Sequence, residues 1–239
     1  MTQVRVGFVG LGDIGGPMAQ RLVDAGLPTT LWARRPATLD QYAPGTFHAA
    51  ASRAELGARC DVVGVCVFGD DDVREVLLGA DGVLAAMAPG AVVLIHSTVS
   101  PQVCAEAAAA GAERGVAVLD APISGARAGA QQGTLTIMVG GDATAMERAM
   151  PALRAYGSVI RRMGGAGAGQ TMKVLNNVLS ASTGMLACLA VELGERLGLD
   201  HAAVLDVLRS GGAASASLES LATRLIPDPG SPGTPRRCS

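Results

Sequence analysis

"VRVGFVGLGDIGGPMAQRL", residues 4–22, holds the pattern that decides the fold. The β-branched run Val4–Val9 reads as a buried strand, and the residues from Asp13 onward read as a helix that ends near Gly26. Between them stands G-x-G-x-x-G: Gly10, Leu11, Gly12, Asp13, Ile14 and Gly15. Each glycine has its own physical task. Gly10 permits a tight turn, Gly12 lets backbone come close to a bound pyrophosphate, and Gly15 lets the helix pack on the strand. The helix N-terminus adds N–H groups without intrahelical partners and a positive dipole end, so the turn reads as a dinucleotide cradle.

Working outward, the first two thirds of the chain alternate apolar runs with helical stretches. Strands are expected in 27–33, 61–68, 91–95, 116–122, 133–141 and 158–164. Helices are expected after most of them, one opened by a Ser52/Glu55 capping box. Regular alternation of this kind implies an α/β fold, a Rossmann-type, doubly wound and mostly parallel sheet. After residue 164 the strands stop, and 169–197 and 201–211 read as helices. The expected organisation is a dinucleotide-binding domain over 1–164 and a partial helical domain over 165–225. A disordered Pro/Gly/Ser-rich tail follows over 226–239.

At the end of the second strand a carboxylate would accept hydrogen bonds from the ribose hydroxyls of NAD. The chain reads Trp32-Ala33-Arg34-Arg35-Pro36 there, and two guanidiniums suit a 2′-phosphate. NADP is therefore the expected cofactor, ahead of NAD.

Composition sets the outer bounds. The chain has 239 residues, 49% hydrophobic and 17% charged, with a formal net charge of −2, which favours neither nucleic acid nor an anionic membrane as partner. Five widely spaced cysteines read as reduced thiols, and no metal site is expected. The N-terminus lacks the basic and apolar regions of a signal peptide. The apolar run "SASTGMLACLAVELG" is interrupted by hydroxyls and Glu192 and reads as too short to span a membrane, so a cytoplasmic location is expected. Of the 19 lysines and arginines, one is a lysine, Lys173 in "GAGAGQTMKVLNN" (165–177). Lysine, unlike arginine, loses its proton readily when desolvated, which suits a group that must give and take one.

Three stretches in order resemble the β-hydroxyacid dehydrogenase family, which includes 3-hydroxyisobutyrate dehydrogenase and tartronate semialdehyde reductase. The cofactor turn is the first. "DAPISGARAGAQQGTLTIMVGG" (120–141) is similar to the family's substrate motif, and "GAGAGQTMKVLNN" to its catalytic helix. The resemblance implies hydride transfer between NAD(P) and a small β-hydroxy acid or its semialdehyde, with Lys173 as general acid/base. It also implies that Ser124, Gly125 and Ala126 hold the substrate carboxylate in a small-residue loop, with Asn177 touching the substrate. Asn176 is expected to face the sheet domain instead. Val67, Phe68 and Asp72 match positions near the adenine and ribose, and Thr98 a hydroxyl beside the nicotinamide. A homodimer or higher homo-oligomer is implied.

Three departures are visible. Ala126 stands where the family has a second glycine. His96 occupies a region that is often acidic in the family, and it reads as a neutral loop residue. Family members continue after "LRSGGAASAS" with helices that carry a second lysine in a K-D-L motif. This chain runs instead into "LIPDPGSPGTPRRCS" and reads as C-terminally truncated. The alternatives are a fragment that binds dinucleotide without turning it over, and an imine reductase, which shares the architecture. A sugar-phosphate substrate of the 6-phosphogluconate type is disfavoured because no basic cluster accompanies the motif.

Overall fold

Continuous apolar runs form strands whose residues are buried on both faces of a central sheet. The computed structural model describes residues 3–219, so the tail expected over 226–239, residues 220–225 of the expected helical segment and Cys238 lie outside the described residues. In chain order the first strands and helices are β1 (Val6–Val9), α1 (Gly15–Asp24), β2 (Thr29–Trp32), β3 (His48–Ala49), α2 (Arg53–Arg59) and β4 (Val62–Val65). Then come α3 (Asp70–Leu78), α4 (Val83–Ala86), β5 (Val92–Ile95), α5 (Pro101–Ala112), β6 (Ala117–Asp120) and β7 (Ile123–Ser124). The series continues with α6 (Ala126–Gln132), β8 (Leu135–Gly140), α7 (Ala143–Tyr156), β9 (Gly157–Gly164), α8 (Ala168–Arg196) and α9 (His201–Ser210).

The sheet order is β3-β2-β1-β4-β5-β6-β8-β7, with β9 paired to β8. Every pair from β3 to β6 is parallel, whereas β8 runs antiparallel to β6 and β7 and parallel to β9. This is the 3-2-1-4-5-6 order of a Rossmann sheet with a mixed extension.

Strand periodicity divides the core between the two faces. Phe8, Leu31, Val62, Val92 and Leu94 pack with Met18 and Leu22 of α1 and with Ala149 and Leu153 of α7. Val9, Val63, Val65, Val93 and Ile95 pack with Leu56 of α2, Val73 and Leu77 of α3 and Val103 of α5. The Ser52 hydroxyl accepts the Glu55 N–H at 3.0 Å, half of the expected capping box. The other half departs, because the Glu55 carboxylate takes the Ala51 N–H at 2.7 Å and His48 Nε2 at 2.8 Å.

The chain divides into two compact units, Met1–Lys173 and a second that begins at Val174. Sequence placed the break where strands end, at 164/165. The first turn of α8 is hydrogen-bonded to strand ends and so belongs with the sheet. In the second unit Val191, Leu205 and Leu218 form a small buried cluster. Helix α8 corrects another expectation: at 29 residues it is long and apolar enough, by length and composition alone, to cross a membrane. Glu192 and the hydroxyls do not interrupt it: the helix runs without a break from Ala168 to Arg196 and so extends beyond the apolar run read in the sequence at both ends.

Candidate active site

In a doubly wound sheet the crevice opens where the strand order reverses, at the C-terminal ends of the strands on either side. Here those strands are β1 and β4. A cleft of about 660 Å³ lies at this point, lined by Gly10 to Gly15, Trp32 to Arg35, and Cys66, Val67, Phe68 and Asp72. The glycine turn fits a dinucleotide. Gly10 has φ +92°, which a side chain rarely adopts, and a Cβ there would run into the Cys66 carbonyl oxygen. A Cβ on Gly15 would strike the Gly10 carbonyl oxygen, whereas Gly12 has no atom within 4 Å of its would-be Cβ. The first and third glycines are thus needed by the protein itself. Space over the second is left open, as a pyrophosphate requires.

All of the expected cofactor residues except Thr98 line this cleft. Phe68 is 97% exposed and so presents a whole aromatic face. Arg34 is held by carboxylates, with its guanidinium 3.1 Å from Glu75 and 3.6 Å from Asp72. Glu75 also receives Arg53 at 2.8 Å. Asp72 therefore braces Arg34, a contact the sequence did not suggest, and Glu75 went unread altogether. Arg35, beside Arg34 in the same lining, makes no salt bridge among the described residues. Asp13 pairs with Arg127 of α6, which ties the cofactor turn to the helix that follows Ser124.

Around β6 lies the second group. Ser124 sits on β7, opposite Thr136 of β8. The small-residue loop expected over "ISGARAGA" is instead a two-residue strand followed by a helix, with Gly125 (φ +126°) as its N-cap. Glycine at the turn frees the chain to reverse, and the alanine-rich segment behind it has high helix propensity. Ala126 has φ +50° and is the one non-glycine residue with positive φ among those described, so the alanine in place of a second glycine carries strain.

Lys173 is half-buried, and its Nζ donates to the Ile123 carbonyl at 2.6 Å, one residue from Ser124. Burial lowers its pKa from the ordinary lysine value. Thr98 is exposed between two anchored neighbours, Ser97 and Val99. Asn176 is half-buried and Asn177 exposed on α8 beyond Lys173, with the Asn176 amide 3.4 Å from the Asn177 oxygen. His96 follows β5 as the neutral loop residue expected, and it is also fully buried beside Phe8 and bonded to the Ala121 carbonyl and the Tyr156 hydroxyl. Desolvation depresses its pKa to about 4, so it is neutral near pH 7.

Sequence reading also passed over Asp120 and Gln170, both buried: the Asp120 carboxylate accepts N–H groups at the start of α8, and the Gln170 side chain joins that first turn to Ser97 and Val99. A carboxylate that ends an apolar strand ("VAVLD") was the available signal, since burial obliges it to find donors.

Comparison with known proteins agrees with this layout. Residues 5–165 match the family model described as the NAD binding domain of 6-phosphogluconate dehydrogenase. Residues 167–234 match the one described as NAD-binding of NADP-dependent 3-hydroxyisobutyrate dehydrogenase. An NAD-dependent L-serine dehydrogenase of Pseudomonas aeruginosa is 39% identical over 215 residues, which are 90% of this chain and 72% of that protein. The solved structure of a Mycobacterium tuberculosis 3-hydroxyisobutyrate dehydrogenase with L-serine superposes with a TM-score of 0.81 at 33% identity, covering 90% of this chain and 73% of its own. An imine reductase of Streptomyces aurantiacus has a TM-score of 0.75 at 22% identity, covering 92% and 76%, and shares the fold alone. The chain belongs to the β-hydroxyacid dehydrogenase family, as an NAD(P)-dependent hydroxyacid dehydrogenase.

Proposed function

We propose that this chain interconverts a small β-hydroxy acid and its semialdehyde, with Lys173 as general acid/base and NADP(H) favoured over NAD(H). One observation carries the reading: a half-buried lysine with a lowered pKa stands one residue from Ser124, anchored on the Ile123 carbonyl. Relatives bearing the names L-serine dehydrogenase and 3-hydroxyisobutyrate dehydrogenase support a 3-hydroxy acid of three or four carbons as substrate.

The bound nicotinamide supplies or accepts the hydride. In the oxidative direction neutral Lys173 takes the proton of the substrate hydroxyl while the Ile123 carbonyl keeps one of its N–H groups. In the reductive direction the ammonium returns that proton to the carbonyl oxygen. Ser124 and the N–H groups at the start of α6 hold the carboxylate. Asn177, one turn beyond Lys173 on the same helix, adds a carboxamide on the substrate side. Arg34, braced by Glu75 and Asp72, and Arg35 receive the 2′-phosphate. The exposed apolar side chains of α8 support association between copies of the chain, which sedimentation would read.

Two measurements test this together. Titration with NADPH and NADH should saturate with NADPH the tighter. Lys173→Ala should lower turnover of a 3-hydroxy acid on the order of 10²–10⁴-fold with cofactor affinity nearly kept. Unchanged turnover would refute the lysine's role. Saturable binding by a parent chain that never turns over would favour the dinucleotide-binding alternative.

A further inference from the structure

Asp120, the last residue of β6, is 2% exposed, and a carboxylate so deeply buried requires donors. Its Oδ1 accepts the Gly167 N–H at 2.7 Å and its Oδ2 the Gln170 N–H at 2.9 Å. Both donors stand at the start of α8, where the helix cannot satisfy its own N–H groups and where negative charge is favourable. Gln170 is 1% exposed and extends the connection. Its Nε2 donates to the Ser97 carbonyl at 2.8 Å, and its Oε1 accepts the Val99 N–H at 3.3 Å. The Ser97 hydroxyl in turn accepts the Val67 N–H at 2.9 Å and donates to the Val67 carbonyl at 2.8 Å. The ends of β4, β5 and β6 and the start of α8 thus form one hydrogen-bonded block.

The surrounding sequence is fitted to it. A Cβ on Gly169 would lie 2.8 Å from Asp120 Oδ2 and would also run into the Met138 carbonyl oxygen. One on Gly140 would strike Asp120 Oδ1. Two positions without side chains let the helix start and β8 close around the carboxylate.

We infer that Asp120 and Gln170 are positioning residues for Lys173, fixing the depth at which its side chain enters between the strand ends and reaches the Ile123 carbonyl. The inference deepens the role of Lys173 proposed above and rests on it. Lys173 lies three residues beyond Gln170, so a loosened first turn moves the lysine directly. An ordinary helix cap would add stability without touching the lysine's surroundings, and this distinction can be measured.

Because Lys173 is the only lysine in the chain, labelling with 13Cε-lysine gives one resonance, and its pH titration reports that residue alone. In the parent it should titrate below ordinary lysine. In Asp120→Asn and in Gln170→Met the midpoint should rise towards that of ordinary lysine as the side chain becomes better hydrated. Leu56→Ala, which empties a fully buried position in α2, should lower the thermal midpoint and leave the lysine titration unmoved. With an active parent, turnover of both positioning variants should fall about tenfold or more while the NADPH dissociation constant stays within a few-fold. A lysine midpoint unmoved in the folded variants, or turnover unmoved in them, overturns the inference. Should Asp120→Asn not fold, Gln170→Met decides alone. A parent without turnover would tell against the proposed activity and leave the titration interpretable.

Discussion

The two units of this chain treat apolar side chains in opposite ways. In the first, Val63, Val65, Leu31 and Leu94 are fully buried, one set against each face of the sheet. In the second, the apolar side chains of α8 are largely exposed: Leu179 by 67%, Met185 by 69% and Leu189 by 54%. Most of the residues proposed for the chemistry fall in the first unit, Asn177 excepted. The dinucleotide cleft, Ser124 and Lys173 all belong to the unit with the packed core. A rigid, fully packed sheet can hold a lysine at a fixed depth, which a lightly packed helix pair cannot do alone.

The sharpest way to break this contrast is a matched pair of truncations. Leu31→Ala should cost about 2–5 kcal/mol of unfolding free energy, and Leu189→Ala no more than about 0.5 kcal/mol, read by denaturant melts. Comparable costs would show that the helical unit carries stability of its own. A pH series tests the core next. Below pH 6.5 an unfolded histidine takes a proton that buried His96 refuses until about pH 4, so stability is complete above that window and declines as pH falls through it. The expected contribution between pH 7 and pH 5 is about 2 kcal/mol, and it should be missing from the same comparison in His96→Asn. Cofactor recognition comes third. Arg35→Ala should weaken NADPH roughly tenfold and NADH hardly at all, by fluorescence titration. Equal weakening of both would remove the 2′-phosphate from the assignment. The smallest effect belongs to Ala126→Gly. Releasing a left-handed alanine should stabilise the chain by about 0.5–1 kcal/mol, and a loss of stability would mean that the gain in unfolded-state entropy outweighs the relieved strain.

Much of the first unit was legible because buried parallel strands and a glycine turn both leave local marks. Val62–Val65 and Val92–Ile95 are apolar without interruption, and Gly10, Gly12 and Gly15 stand at the spacing a strand–turn–helix needs. What escaped was set by tertiary contact. Strand β3 has two residues and exists only by pairing with β2. Segment 123–130 looked like a loop because alanine and glycine suit loop and helix alike, and the Gly125 turn decides between them. The burial of His96 follows from Phe8 and Tyr156, far away in sequence. Among the proposed site residues, Lys173 was singled out by its uniqueness and its motif. Asp120 and Gln170 were missed because their partners are backbone groups, which a sequence does not display.

The closure of Gly140 and Gly169 around Asp120 also constrains how this sequence can drift. With the carboxylate in place, an alanine at either glycine collides, so those substitutions are closed to single-step mutation. Shortening residue 120 first would open position 140 but not 169, where the Met138 carbonyl oxygen still stands in the way, and it would leave the Gly167 and Gln170 N–H groups without an acceptor. Positions 120 and 140 are therefore epistatic, whereas Gly169 is held by the backbone of β8 as well. A lineage can leave this pairing only through an intermediate worse than either end, so Asp120 and Gly140 should persist or disappear together.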